Sequence, residues 1–184
     1  MSIYNMTRRT QTYVAGDWDG DNDAILQLKK WNESDRWSLS FYDVHEKTQS
    51  RDSSQNCSIK RSLQNRMDVS KRFVLVVGEH TNTVTSGSCD QCSFHDWSFT
   101  HGGYVCKKGY KYDSRSYVKY ECDKAIEAGI EIIVLYNSTS VDKRLCPPSL
   151  HGVKTHVAMK TRRSNMFGTY IDWDYQAVKR AFGF

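Results

Sequence analysis

Two groups of residues in this 184-residue chain could do chemistry. The first is Cys89-Asp90-Gln91-Cys92 followed by Cys106, with His95 and His101 between them. Three thiolates and one imidazole would suit tetrahedral zinc, and such a site would be structural because the loop offers no open coordination position. A second Cys-x-x-Cys is missing, so the same residues read equally as buried thiols in an insertion. Cys57, Cys122 and Cys146 read as small packed hydrophobes.

The second group is acidic. Asp17-Trp18-Asp19-Gly20-Asp21-Asn22-Asp23 is a loop dense in carboxylates, but it lacks the downstream Glu of an EF-hand. Glu121 stands in a helical pattern over residues 113–129, where Val118, Cys122, Ala125, Ile126 and Gly129 share one side. At about 100° per residue, Glu121 lies roughly 80° from the centre of that stripe, with Tyr117 one turn earlier on the same shoulder. That position fits a solvated helix-boundary carboxylate. It also fits a half-buried carboxylate held rigidly for use.

The elements that must position these groups alternate. Residues 11–16 read as a strand ending at Gly16, and a helix follows that Asn22 or Asp23 can cap, with Ala24, Ile25, Leu28 and Trp31 on one face. Residues 37–42 read as a second strand running into Asp43-Val44-His45. After a polar loop over residues 47–56, Ile59, Leu63 and Met67 mark a helix ending near Ser70. Residues 72–77 form a continuous apolar run, as in a strand buried on both faces of a parallel sheet. Residues 82–112, rich in Ser, Gly, Thr and aromatics, read as an insertion with its own small organisation. The helix of residues 113–129, capped by Asp113 or Ser114 and ended by Gly129, leads to a buried strand over residues 130–137. Residues 156–159 read as a short last strand, and residues 171–174 as the opening of a terminal helix with Trp173, Ala177 and Ala181 on one face.

Strand–helix alternation without a sustained hairpin signal predicts one α/β domain over residues 1–184, with a parallel sheet of about five strands and a loose arm at residues 1–10. Ligands of such sheets bind beyond the carboxyl ends of the strands. Those ends carry Asp17, Trp18, Asp19, Tyr42, Asp43 and His45, then Gly78-Glu79-His80 and Asn137-Ser138.

Composition narrows the classes. With 39% hydrophobic and 26% charged residues the chain is globular rather than disordered. No apolar run approaches the roughly 20 residues of a membrane span, and residues 1–10 lack an apolar signal core. A cytoplasmic location is expected, and six cysteines there argue against a disulfide framework. The net charge of +5 permits an anionic partner, but the bases are interleaved with acids, and the stretch from Lys60 to Arg72 reads as a solvated helix face rather than a nucleic-acid surface. No Gly-x-x-x-x-Gly-Lys-Ser/Thr, no Gly-x-Gly-x-x-Gly after the first strand and no Gly-x-Ser-x-Gly is present. These absences weigh against a nucleoside triphosphatase, a dinucleotide oxidoreductase and a serine hydrolase.

The whole pattern resembles the TIR-like proteins of bacterial antiphage defence, in particular the TIR component of Thoeris systems. It covers most of residues 11–182. The residues that carry it are Gly16-Asp17-Trp18-Asp19-Gly20-Asp21-Asn22-Asp23, Phe41-Tyr42-Asp43-Val44-His45, Phe73-Val74-Leu75-Val76-Val77-Gly78-Glu79-His80-Thr81, Ser116-Tyr117-Val118-Lys119-Tyr120-Glu121-Cys122-Asp123-Lys124-Ala125, Ile132-Ile133-Val134-Leu135-Tyr136-Asn137 and Cys146-Pro147-Pro148. The insertion of residues 82–112 is longer than the matching connection in compact members. The resemblance implies a flavodoxin-like TIR fold and cleavage of the nicotinamide–ribose bond of NAD, the substrate. It implies a cyclic or conjugated ADP-ribose second messenger that activates a separate effector protein after a phage-derived trigger, and assembly into a homo-oligomer. The family's catalytic Glu lies in a Trp/Tyr-Val-x-Tyr-Glu context, which maps onto Glu121. Asp17, Trp18, Asp19, Tyr42, Asp43, His45 and Tyr117 are the candidate substrate-binding residues, with the aromatics equally suited to core or lid packing. The contrasting expectation is a catalytically silent TIR-like interaction module.

Overall fold

The computed structural model describes residues 11–17, 19–34, 36, 39, 41 and 56–184. Among these residues the centre is a four-stranded sheet in the order β1 (Gln11–Ala15), β2 (Ser70–Val77), β5 (Glu131–Tyr136) and β6 (Thr155–Ala158), with every pairing parallel. Strands of a parallel sheet bury both faces, and the side chains show it. Phe73, Leu75 and Val77 of β2 pack on one side with Val134 and Tyr136 of β5. Val74 and Val76 pack on the other with Ile133 and Leu135. Helices α2 (Asn56–Met67) and α3 (Tyr117–Glu127) cover the first face, supplying Leu63, Met67, Val118, Cys122 and Ala125. Helices α1 (Asn22–Glu33) and α4 (Tyr175–Ala181) cover the second, supplying Ala24, Ile25, Leu28, Trp31 and Val178. The result is an α/β layered architecture with helices on both faces of a parallel sheet, consistent with the expected flavodoxin-like fold. The arm at residues 1–10 and most of the expected strand at residues 37–42 lie outside the described residues. Of that strand, Leu39 is buried and Phe41 exchanges backbone hydrogen bonds with the Asn32 side chain, at 2.9 and 2.7 Å.

Several boundaries differ from expectation, each for a local reason. Helix α3 begins at Tyr117, capped by the Ser116 hydroxyl, which accepts from the Lys119 amide, and not by Asp113 or Ser114. The Asp113 carboxylate is instead engaged by Arg115. Gly129 follows the helix with φ +61, the left-handed turn that ends it as expected. At α1 the N-cap position belongs to Asp21, not Asn22 or Asp23, and its side chain makes no capping bond because it is used across the sheet. Helix α2 already includes Asn56 and stops at Met67, short of Ser70.

The absence of a hairpin signal did not hold. Residues 82–112 contain an antiparallel pair, β3 (His95–Ser98) and β4 (Gly103–Cys106). A second ribbon, β7 (Lys160–Asn165) with β8 (Gly168–Trp173), stands where the terminal helix was expected to open. Ile171 and Trp173 are strand residues, and α4 starts only after Asp174, whose carboxylate accepts from the Ala177 amide at 2.9 Å. The ribbon was illegible in the sequence because its strands are largely exposed on both faces and carry no apolar alternation. Lys60 also departs from the solvated-face reading. It is buried, donates to the carbonyls of Asp113 and Arg115 at 2.9 and 2.5 Å, and pairs with the Asp113 carboxylate at 3.4 Å.

Candidate functional site

Glu121 lies in the second turn of α3 and is 4% exposed, so the surface reading of this carboxylate is overturned. Val118, Cys122 and Ala125 of its stripe face the sheet whereas Ile126 is exposed, and the Tyr13 hydroxyl of β1 donates to Glu121 Oε1. Burial pushes its carboxyl up to about 7, against the lowering effects of the Tyr13 hydrogen bond and the Arg66 charge. Near neutral pH this group is therefore poised between its neutral and ionised forms. Tyr117, one turn earlier, is half-buried and donates to Asn56 Oδ1 at 2.9 Å. Desolvation pushes its phenol up to about 12.

The carboxyl ends of three strands are drawn together by a residue that sequence reasoning passed over as a ligand. Asp21 is 2% exposed. It accepts from the Thr81 hydroxyl beyond β2 at 3.3 Å and from Asn137 Nδ2 at the end of β5 at 3.1 Å. Thr81 in turn accepts from the Gly78 amide at 2.8 Å. A Cβ on Gly78 would stand 1.9 Å from Asp21 Oδ1, so the close approach requires glycine. Burial raises the Asp21 carboxyl, and the charges of Asp17 and Asp23 add to this, while Asn137 and Thr81 work against it. Asn137 Nδ2 also donates to Asp23 at 2.8 Å, and Lys160 pairs with Asp23 at 3.1 Å. Asn137 Oδ1 is buried without a hydrogen-bond partner among the described residues. An orphaned acceptor at the strand ends suits a ligand hydroxyl.

A cavity of about 600 Å³ opens beside this cluster, between the insertion and the start of α3. Thr81, Ser88, Asp90, Arg115, Ser116 and Lys119 are among its walls. It therefore combines a helix N-terminus with two cationic side chains, a combination that attracts anions. Arg115 is already braced by Asp113 at 2.6 Å and Asp123 at 2.8 Å. Against partial burial, those Arg115 contacts and Lys60 hold Asp113 down to about 2.

The sequence-predicted residues are thus dispersed. Glu121 does not line the cavity, and neither do Asp17, Asp19 and Tyr117. Asp19 is exposed, and Asp17 binds within its own loop, accepting from the Asp19 amide at 3.3 Å. Trp18, Tyr42, Asp43 and His45 lie outside the described residues. Asp21 could have been singled out only by its partners, which are distant in sequence.

Among the described residues no group of three His, Cys, Asp or Glu side chains is placed to hold a metal ion. The imidazoles that would complete Cys89, Cys92 and Cys106 are otherwise engaged. His95 Nδ1 lies 2.6 Å from the Cys92 carbonyl, and His101 Nδ1 lies 2.9 Å from the Ser98 hydroxyl. Cys57, Cys122 and Cys146 are buried, as small hydrophobes would be. Among the described residues no helix is long and apolar enough to cross a membrane.

Comparison with known proteins adds one match. Residues 13–86 fit the family model described as Thoeris protein ThsB, TIR-like domain. That segment runs from β1 through α1, α2 and β2 and includes Asp21, Gly78 and Thr81, but it stops before α3 and Glu121. No curated protein matches the chain.

Proposed function

We propose that this chain, whose residues 13–86 fit the ThsB TIR-like domain model, is a TIR protein of antiphage defence that cleaves the nicotinamide–ribose bond of NAD and converts the remainder into a cyclic or conjugated ADP-ribose messenger for a separate effector. The observation that carries this reading is Glu121: a buried carboxyl, tied to β1 through Tyr13, pushed up to about 7 and set on a rigid helix. Nicotinamide leaves as a neutral ring from a cationic one, so no acid is needed to expel it. Positive charge moves to an oxocarbenium-like ribose, as in glycoside cleavage. An ionised Glu121 facing that ribose stabilises the charge. Water then attacks the anomeric carbon, or a nucleophile within ADP-ribose reaches it first and closes a ring.

The cavity beside α3 supports the substrate class. Its helix N-terminus, Arg115 and Lys119 suit a diphosphate, and Thr81 of its wall is tied through Asp21 to Asn137 at the strand ends. In this proposal the resting chain is closed, because Glu121 is buried, bound by the Tyr13 hydroxyl and not among the residues lining the cavity. Assembly or a phage-derived trigger opens the path between them.

A second reading rests on that same separation. A carboxyl that does not line the cavity also fits a silent interaction module, in which Glu121 only braces the core. Incubation of purified protein and of Glu121→Gln with NAD, in buffer and in phage-infected lysate, separates the two. Nicotinamide release with an ADP-ribose product, lost in the variant by at least about 100-fold, supports the enzyme. NAD left intact by the wild-type chain in both media supports the module.

A further inference from the structure

Two of the cysteines lie close together in space. Cys57 stands at the start of α2 and Cys106 at the end of β4, and their sulfurs are 4.0 Å apart. Neither is part of a disulfide. Cys106 is partly exposed, whereas Cys57 is 7% exposed. A disulfide needs the sulfurs at about 2.05 Å, so side-chain rotation and a contraction of about 2 Å would join them. The neighbourhood is already stitched across this gap. Asn56, next to Cys57, donates to the Ser88 carbonyl of the insertion at 2.8 Å and accepts from the Tyr117 hydroxyl of α3 at 2.9 Å. Cys89 donates its amide to Asp113 at 3.0 Å, and Tyr117 donates its amide to Ser86 at 2.8 Å.

We propose that Cys57 and Cys106 form a reversible disulfide when the protein meets a peroxide, fixing the hairpin of residues 95–106 to α2 beside the cavity wall formed by Ser88 and Asp90. The partly exposed Cys106 reacts first. Its thiolate attacks one oxygen of hydrogen peroxide, the O–O bond breaks, and the departing hydroxide takes a proton to leave as water. The sulfenic acid so formed is attacked by the Cys57 sulfur. The S–O bond breaks, the S–S bond forms, and a second water carries off the remaining oxygen and protons. Two thiols are oxidised by two electrons, and one peroxide is reduced to two waters. A dithiol reverses the bond by exchange.

The test uses the intact chain, reduced and treated with a chelator, then exposed to hydrogen peroxide. Differential alkylation and peptide mass mapping should find Cys57 linked to Cys106, with the link removed by dithiothreitol. Oxidation should raise the melting temperature by about 5 °C or more, and Cys57→Ser and Cys106→Ser should each abolish that rise. The mapping needs no variant, so a poorly folding substitution does not blunt it. Peroxide-treated protein with Cys57 and Cys106 both still alkylated overturns the proposal, as does a Cys89–Cys92 link in their place. So does stoichiometric zinc in the chain as purified, lost together with the fold on chelation. None of these readouts depends on NAD turnover, so failure of the enzyme reading would leave them intact.

Discussion

At the residue scale, Glu121 ties stability to proton binding. Burial raises its folded carboxyl to about 7 from an ordinary value of 4.5, so between these values the folded chain holds a proton that the unfolded chain releases. The associated stability is complete below the unfolded value and is lost as pH rises through the folded one. Above that window the buried charge costs on the order of 3 kcal/mol. Glu121→Gln keeps an acceptor for Tyr13 and removes the charge. The variant should therefore melt close to wild type at pH 4.5 and clearly above it at pH 8, and an equal offset at both values would refute the assignment. If the ionised form also performs catalysis, NAD cleavage should climb with pH through about 7, which a rate–pH profile reads directly. Gly78 offers a second residue-scale check. Gly78→Ala places a Cβ against Asp21 where neither the sheet nor the buried carboxylate can give way. A loss of about 1–3 kcal/mol is expected in urea unfolding.

At the scale of elements, α3 is held at its start by a web rather than by its cap alone. The Ser116 hydroxyl closes the first turn at 3.2 Å, and Ser116→Ala should cost about 1 kcal/mol. Lys60 of α2 clamps the chain just ahead of that turn through two carbonyls and the Asp113 carboxylate. Lys60→Met leaves those acceptors buried and unanswered, and a loss near 3 kcal/mol is expected from the same unfolding measurement. A change within 0.5 kcal/mol would mean that water replaces the ammonium and that the clamp is dispensable. These two helices pack side by side, so damage to the clamp reaches the wall that carries Arg115 and Lys119.

At the scale of the whole molecule, the cavity and the buried carboxyl are separate features of one fold. The proposal that assembly joins them predicts that NAD turnover per chain rises with protein concentration across the range where light scattering detects larger species. Turnover independent of concentration would leave a ligand trigger as the opener.

The sequence by itself determined the layered α/β plan. Continuous apolar runs such as residues 73–77 can be satisfied only between two covering layers, and the spaced apolar residues of α1 and α3 name the faces that cover them. It also marked Glu121, Tyr117 and the acidic loop, because periodicity and composition are local quantities. Tertiary structure alone decided what those residues experience. Whether Glu121 meets water or Tyr13 depends on β1, 108 positions away in sequence. The choice of Asp21 over Asp17 or Asp19 as the residue binding the strand ends depends on Thr81 and Asn137. Cys57 and Cys106, read separately as a packed hydrophobe and a metal ligand, become neighbours only when α2 and the inserted hairpin are brought together. Burial, pKa and pairing arise from long-range contacts, and no local pattern records them.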